Sequence, residues 1–315
     1  MKTILLSVVM ALCVWAEASG CTAAIVGAGR SATGRVLLWK HRDTSSVQNF
    51  VARARGVRFG FTALFNAGDS ALSEAWAGVN DAGFAIINTQ SYNLAPDTAS
   101  VADREGLLMA AALGQCGSVD DFESLLRSLS RPMGVQANFG VVDRSGAAAW
   151  FETDDHGFSR FDVGDDSVSV RTNFSCSGSC GEGLGRERYA AATALLGMRP
   201  EVWPELLTDS VSCSFYPHAG RSRFVDRGQY IPRRSTSASV VIQSDGVMWV
   251  RPGYPPVSPS TWRVVQDSIP DVLRPDPADG WHAPAWREAQ RRRDLLFRRN
   301  KQGQWVVDFS RTEDN

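Results

Sequence analysis

Cys21 stands directly after a segment with the composition of a removable secretory leader. Lys2 is followed by a mostly apolar run over residues 4–16, and small residues ending in Gly20 precede the cysteine. A basic start, a short apolar stretch and small residues at its end are typical of secretory signals. We therefore predict removal of residues 1–20 and export to the periplasm or the extracellular space, which leaves Cys21 as the first residue.

An amino-terminal cysteine combines a nucleophile and a base on one residue. Reference pKa values are about 8.5 for the thiol and about 7.7 to 8.0 for the α-amine. Near neutral pH an unprotonated amine can accept the thiol proton, directly or through one water. Attack on an amide carbonyl then needs donors for the oxyanion and a carboxylate to hold the ammonium. Cys21 thus predicts an amide-bond hydrolase that forms a thioester acyl-enzyme.

Lys40 and Asp43 are charges downstream that could support Cys21. They lie three positions apart at the end of a strand-like segment, residues 36–40. An anion against the amine would hold the ammonium, and a cation against the sulfur would lower the thiol pKa. A solvated surface turn is the competing interpretation of this charge cluster.

Two other interpretations of the amino-terminal pattern stay open. The leader could be cut after Ala16, with Cys21 then removing residues 17–20 itself. Residues 18–21 also resemble the site at which bacterial lipoproteins are cut and lipidated, and a lipidated Cys21 would anchor a binding or structural protein to a membrane. A strand-like segment begins at once with Thr22, which disfavours the anchor because lipoproteins normally continue with a flexible tether.

Five cysteines remain once the leader is removed. In an oxidising compartment we expect two disulfides among four of them, which leaves Cys21 as the free thiol. A zinc site that includes His218 is disfavoured by the spacing and by the exported context, and no metal or cofactor is expected. The four cysteines are Cys116, Cys176, Cys180 and Cys213.

Composition limits the class of partner. The chain has 315 residues, 43% of them hydrophobic, and a formal net charge of −1. This content suffices for a large core, and the balanced charge leaves no electrostatic footprint for nucleic acid. No segment after the leader is long and apolar enough to span a membrane. A small molecule is therefore the expected partner, and the oligomeric state stays open.

The pattern of elements indicates an α+β layered domain rather than a doubly wound sheet. A hairpin is predicted over residues 22–26 and 36–40, and two helices over residues 105–115 and 119–129, the second with Ser118 or Asp120 as its cap. Further strands are expected at residues 83–89, 138–142, 147–152, 158–162, 167–173, 239–242 and 247–250, and a further helix at residues 186–197.

One domain is predicted for residues 21–315, since no internal repeat and no convincing boundary interrupts it. The Pro-rich residues 251–284 are expected to form an irregular connection. Residues 285–300 are expected to form a strongly basic helix with a solvated face.

Residues 21–24 and 34–43 resemble the opening of the amino-terminal-nucleophile hydrolases. The resemblance is to the choloylglycine hydrolase and penicillin V acylase group, and still more to acyl-coenzyme A:6-aminopenicillanic acid acyltransferase-like proteins. It implies a four-layer αββα sandwich of two antiparallel sheets, with a cysteine nucleophile exposed by removal of the preceding residues. The resemblance continues in order over most of residues 21–250, at residues 78–86, 120–123, 138–143, 171–174 and 222–224.

Carried over residue by residue, the resemblance implies that Cys21 is the nucleophile and that Asp43 orients its amine. Asn173 resembles the oxyanion-hole asparagine of these families. Arg223 resembles an arginine that supports the nucleophile through the charge network. These four residues are the core of the site that the resemblance implies.

The remaining site positions are less determined. Lys40 stands where the bile-salt members of the group carry arginine, and lysine is a point charge rather than a bidentate fork. The second oxyanion donor falls at Asn88 or Gln90. The resembling families handle bile-salt conjugates, penicillin V, acyl-homoserine lactones and other N-acyl compounds, and the sequence does not choose among them. Acyl transfer to an amine instead of water proceeds through the same acyl-enzyme and stays an alternative.

Overall fold

A computed structural model describes residues 20–98, 100–218, 220 and 222–311, so the expected leader lies outside the described residues except for Gly20. The helices are α1 (Glu105–Gln115), α2 (Val119–Ser128), α3 (Arg186–Gly197) and α4 (Pro284–Leu296). The strands are β1 (Thr22–Val26), β2 (Leu37–Asp43), β3 (Asn49–Arg55), β4 (Gly60–Asn66), β5 (Ala77–Asn80), β6 (Ala85–Gln90), β7 (Ala137–Val142), β8 (Ala148–Thr153), β9 (Phe158–Asp162), β10 (Val168–Arg171), β11 (Arg223–Val225), β12 (Thr236–Gln243), β13 (Val247–Pro252), β14 (Trp262–Val265), β15 (Phe297–Arg299) and β16 (Trp305–Asp308).

Two large antiparallel sheets form the centre of the structure. Sheet I has six strands in the order β10-β1-β2-β12-β13-β14, and sheet II has seven strands in chain order from β3 to β9. A smaller sheet III has the order β11-β16-β15. The hairpin expected at the amino terminus is the β1–β2 pair, in which Thr22 lies opposite His41.

Sheets I and II pack face to face because each presents an apolar side to the other. Along β2, Leu38 belongs to the core between the sheets, whereas Trp39 packs on the outer side of sheet I. Ile25 and Val26 of β1 divide in the same way. This alternation follows from the two-residue period of a strand. Sheet I is therefore apolar on both faces and has to be covered on its outer side as well.

Helices supply the outer layers. On sheet II, the ring of Phe122 from α2 contacts Phe139 and Phe151 at centroid distances of 5.8 and 5.2 Å. On sheet I, Ala192 and Leu196 of α3 join the second apolar cluster. The layers thus follow as helices, sheet II, sheet I and helix, and the predicted four-layer αββα sandwich is confirmed.

The bounds of several elements differ from the sequence-based expectation. α1 and α3 have the expected bounds, whereas the basic helix expected over residues 285–300 ends at Leu296 because the chain then enters β15 of sheet III. The Pro-rich residues 251–284 are not irregular throughout, since β14 adds an edge strand to sheet I. No helix within the described residues combines the length and apolar content that a membrane span needs.

The expectation of two disulfides is wrong. All five cysteines of the described residues are free thiols. Cys116 lies in the core beneath α1, where burial raises its thiol pKa to about 12, and burial raises that of Cys213 to about 11. Cys176 and Cys180 lie exposed on a separate loop. Cysteine counting could not foresee this arrangement, because the sequence does not tell which layer each thiol enters.

Phe122 should contribute strongly to the stability of the helix-covered side of sheet II. We expect Phe122→Ala to lower the free energy of unfolding by about 3–5 kcal/mol, because it removes a fully buried ring and leaves a cavity. Urea unfolding followed by circular dichroism measures this. Leu107→Ala, at a position of the neighbouring helix that is 46% exposed, is the matched control and should change the value by less than about 1 kcal/mol. Equal losses in the two variants would contradict the assignment of the core.

Candidate functional site

Cys21 lies at the head of β1, beside the end of β2 that carries Arg42 and Asp43. Its side chain is half-buried, and its Sγ lies 3.9 Å from the backbone carbonyl oxygen of Asp43. The β1–β2 pairing brings the two residues together, although they are 22 positions apart in the chain. The structure therefore brings together Cys21 and Asp43, as the sequence predicts.

The Asp43 carboxylate is buried and fully engaged. Arg233 donates to its Oδ2 from Nε at 3.1 Å and from Nη2 at 2.6 Å, and the Thr236 hydroxyl donates to its Oδ1 at 2.6 Å. A charge-assisted contact through two guanidinium nitrogens fixes a carboxylate in orientation as well as in charge. The Asp43 side chain is thus held in a defined orientation beside the start of β1.

His41 extends this network on the outer side of β2. Its Nε2 lies 3.1 Å from the Thr236 oxygen. Because the Thr236 hydroxyl already donates to Asp43, its oxygen accepts from the imidazole N–H. Burial lowers the pKa of His41 to about 4, so the ring is neutral at physiological pH. His41 therefore supports the carboxylate as a neutral donor.

Gly20 lies inside the same cluster. Its carbonyl oxygen accepts a hydrogen bond from Arg233 Nη2. A Cβ atom at this position would lie 2.4 Å from Asn173 Oδ1, far inside van der Waals contact, and 3.0 Å from Arg188 Nη2, which is a tight contact. Only glycine fits here without displacing these side chains, so the peptide bond between Gly20 and Cys21 is enclosed by polar groups.

Arg188 is a functional candidate that the sequence did not indicate. From α3, its Nη1 donates to the Cys21 carbonyl oxygen at 2.7 Å and to Thr22 Oγ1 at 2.9 Å, and its Nη2 donates to Asn173 Oδ1 at 2.7 Å. The side chain is almost completely buried. The sequence does not indicate a functional role for an arginine within an Ala-rich helix, since its partners lie 15 or more positions away.

Asn173 is oriented by this arginine. A guanidinium only donates, so the amide oxygen must face Arg188 and the amide nitrogen must face away from it. That nitrogen donates to the Gln90 carbonyl oxygen at 2.9 Å. Among the described residues the second amide hydrogen has no acceptor, and it is the one that remains for a ligand.

Lys40 lies near Cys21 but bonds elsewhere. Its Nζ donates to the Trp76 carbonyl oxygen at 2.7 Å and to Asn88 Oδ1. Burial lowers the pKa of Lys40 to about 7, and the Cys21 and Glu105 charges oppose that shift. Sequence reasoning could not foresee the burial, because the charge cluster at residues 40–43 is equally typical of an exposed turn.

The two alternatives for the second oxyanion donor have different surroundings. Asn88 pairs with Phe139 on β7, and its side-chain oxygen accepts from Lys40 of sheet I. Gln90 is next to Asn173 through its backbone carbonyl, while its side chain accepts from the Tyr92 hydroxyl at 2.8 Å. Neither side-chain amide forms a hydrogen bond to Cys21 in the described part of the chain.

Arg223 is not brought to Cys21. It lies exposed on β11 of sheet III and approaches Asp308 at 3.8 Å. The arginine that contacts the Asp43 carboxylate is Arg233, ten positions later. It lies in the segment that follows β11 of sheet III and precedes β12 of sheet I. The motif match at residues 222–224 therefore does not identify the arginine that contacts the site.

Positive charge exceeds negative charge around the thiol. Four buried cations, Lys40, Arg42, Arg188 and Arg233, interact electrostatically with Cys21. Such an excess favours the binding of an anionic group over that of its neutral form. Within the described residues, no group of three or more His, Cys, Asp or Glu side chains is arranged to hold a metal ion.

Comparison with known proteins gives similarity at the level of the backbone course. No protein-family model matches the sequence, and no curated protein is significantly similar to it. Penicillin V acylase from Agrobacterium tumefaciens superposes with a TM-score of 0.49 and 13% identity, over 79% of this chain and 87% of that one. An N-acylethanolamine-hydrolyzing acid amidase ortholog from Caenorhabditis elegans gives 0.48 and 14%, over 78% and 100%. A variant of the conjugated bile acid hydrolase from Clostridium perfringens gives 0.48 and 11%, over 79% and 93%. Values of this size assign neither an activity nor a substrate.

Proposed function

We propose that the protein hydrolyses a small linear N-acyl amide, with Cys21 as nucleophile after residues 1–20 are removed. The observation that carries this proposal is the enclosure of the Gly20–Cys21 peptide bond. Arg233 donates to its carbonyl oxygen, while Arg188 and Asn173 lie against it. When that bond is cut, the new α-amine is left within a buried cluster that already holds the Asp43 anion.

The proposed reaction follows from this placement. The α-amine accepts the thiol proton, and the thiolate sulfur forms a bond to the substrate carbonyl carbon. Collapse of the tetrahedral intermediate breaks the carbon–nitrogen bond, and the ammonium returns its proton to the departing amine. Water then hydrolyses the thioester, which releases the carboxylic acid and regenerates the thiol. Asp43, oriented by Arg233, stabilises the ammonium between these steps.

Asn173 is the proposed oxyanion donor. Arg188 fixes its amide so that the nitrogen points away from the guanidinium, and one amide hydrogen remains for a substrate oxygen. A donor that is oriented before the reaction stabilises developing charge without reorganisation, which is worth about 10²–10³ in kcat for a single donor.

A lipid anchor at Cys21 fits the local structure less well. β1 begins at Thr22, directly after the cysteine, and lies between β10 and β2 in sheet I. No residues are therefore left between a lipid on Cys21 and the first strand to act as a flexible tether. The Cys21 carbonyl is also bonded to a buried arginine. These observations favour a catalytic residue over an attachment point.

Cys21→Ala should abolish turnover. We expect at least about a 10³-fold loss of kcat/KM, because the variant lacks the nucleophile that forms the thioester. The assay measures acid release from a panel of N-acyl amides that includes penicillin V, conjugated bile salts and acyl-homoserine lactones, with and without an added amine acceptor. Cys180→Ala, which removes an exposed thiol, is the control and should keep full activity. Hydrolysis that survives in Cys21→Ala would overturn the mechanism.

Gly20→Ala should block removal of the residues before Cys21. The added Cβ would collide with Asn173, so the peptide bond would leave the position in which Arg233 contacts its carbonyl. Incubation of a purified chain that begins at Glu17 should give the mass loss of residues 17–20 in the wild type and in the control variant, but not in Gly20→Ala. Gly157→Ala, where a Cβ meets nothing within 4 Å, is the matched control. Equal processing of all three chains would show that the enclosure is irrelevant to cleavage.

Lys40 should make stability rise with pH. Since burial lowers its pKa from 10.5 to about 7, between these values the folded chain binds fewer protons than the unfolded chain, and the free energy of unfolding increases with pH. Lys40→Met should therefore have a higher free energy of unfolding than the wild type, and this advantage should be about 2 kcal/mol larger at pH 6.5 than at pH 9. The figure follows from about 1.4 kcal/mol per pKa unit. Urea unfolding at both pH values tests this, with the exposed Lys301→Met as control. A difference that does not depend on pH would mean that Lys40 keeps an ordinary pKa.

A further inference from the structure

The segment from Arg171 to Ser177, which carries Asn173, leaves sheet I and passes over sheet II. Three buried polar residues on adjacent strands of sheet II lie beneath it: Thr89 on β6, Asn138 on β7 and Glu152 on β8. Thr89 pairs with Asn138, and Asn138 pairs with Glu152. Paired residues share a face, so these three form a continuous line, named here the polar row.

The first two members of the polar row bond to the backbone on either side of Asn173. Thr89 donates to the Thr172 carbonyl oxygen at 2.6 Å. The Asn138 amide donates to the carbonyl oxygens of Thr172 and Phe174, both at 3.2 Å. The residues directly before and after Asn173 are thereby attached to sheet II.

Glu152 makes the strongest set of contacts. One carboxylate oxygen accepts from Arg171 Nε at 2.7 Å and from the Cys176 N–H at 2.8 Å. The other accepts from the Ser177 N–H at 2.7 Å and from the Ser177 hydroxyl at 2.6 Å. Its donors thus lie two residues before Asn173 and three or four residues after it. The side chain has no exposed surface, so these bonds are not shared with water.

We propose that Glu152 is a positioning residue for Asn173, and this rests on the proposed function of Asn173 as oxyanion donor. A buried carboxylate has to be matched by charged or hydrogen-bonding partners, because its desolvation is costly. The only way Glu152 can satisfy both oxygens here is to hold the two ends of the segment at fixed places. Arg188 then orients the side-chain amide of Asn173, and Glu152 holds the backbone that carries this side chain.

A purely structural tie between the sheets makes a different prediction. If Glu152 served stability alone, its loss would lower the amount of folded protein and leave the folded fraction fully active. A positioning residue lowers kcat in the folded protein, with little effect on substrate binding or on the reactivity of Cys21. The effect also has to disappear once Asn173 itself is removed, because the two residues act on the same step.

The experiment compares Glu152→Gln, Asn173→Ala and the double variant with the wild type. Glu123→Gln is the matched control, since Glu123 also accepts from an arginine, Arg160 on β9, but lies outside the polar row. The substrate probe is an N-acyl aminocoumarin amide. Reactivity of the nucleophile is measured separately, as the rate of iodoacetamide labelling of the Cys21 peptide by mass spectrometry.

For Glu152→Gln we expect kcat to fall about 10-fold or more, with KM and the Cys21 labelling rate within about 3-fold of the wild type. The double variant should match Asn173→Ala within about 2-fold. Glu123→Gln should behave as the wild type. Ser177→Ala, which deletes the hydroxyl donor and keeps the backbone N–H donor at the same oxygen, should give about a 2- to 5-fold loss of kcat and decides the question if Glu152→Gln does not fold.

Wild-type kcat in Glu152→Gln, or in Ser177→Ala where Glu152→Gln does not fold, would overturn the proposal. Multiplicative losses in the double variant would overturn it as well, because Glu152 would then act independently of Asn173. Failure of the proposed function is recognised separately, by turnover that survives in Cys21→Ala.

Discussion

The buried ion pair between Asp43 and Arg233 is the interaction on which the rest of the site depends. It joins the end of β2 to the start of β12, and the same guanidinium reaches the Gly20 carbonyl. A buried carboxylate without this partner would be protonated or displaced. With it, a fixed negative charge lies where the amine of an amino-terminal Cys21 would form. The thiol position follows, because β1 is paired with β2 over its whole length.

Burying these positive charges has a desolvation cost, which hydrogen bonds to several partners offset. Arg188 and Arg233 bond to oxygens of the nucleophile segment, and Arg42 bonds to the neutral side chains of Asn49, Asn66 and Ser237. Lys40 has only neutral acceptors, and burial accordingly lowers its pKa to about 7. The cluster as a whole therefore favours an anionic group bound beside it, which is the electrostatic condition that the proposed oxyanion requires.

The two-sheet architecture explains how groups distant in sequence reach one place. Cys21 and Asp43 belong to sheet I, whereas the backbone around Asn173 is held by polar side chains of sheet II. The site thus lies where both sheets contribute. A sandwich whose interior is apolar along most of its depth can accept this polar end, because most of its buried polar side chains are hydrogen-bonded.

The sequence by itself determined the nucleophile candidate, the adjacent carboxylate and the layered α+β class. Cys21 and Asp43 belong to one hairpin, so local patterning sufficed. α1 was recognisable from its helical spacing and α3 from its Ala- and Leu-rich composition. Tertiary structure decided the rest. Arg188 reaches the Cys21 carbonyl only through the packing of α3, and Arg233 reaches Asp43 from the segment before β12. The expected Arg223 lies on sheet III, and the four other cysteines are unpaired thiols. Contacts between residues far apart in the chain depend on which faces the sheets bury, and a single sequence does not reveal that pairing of faces.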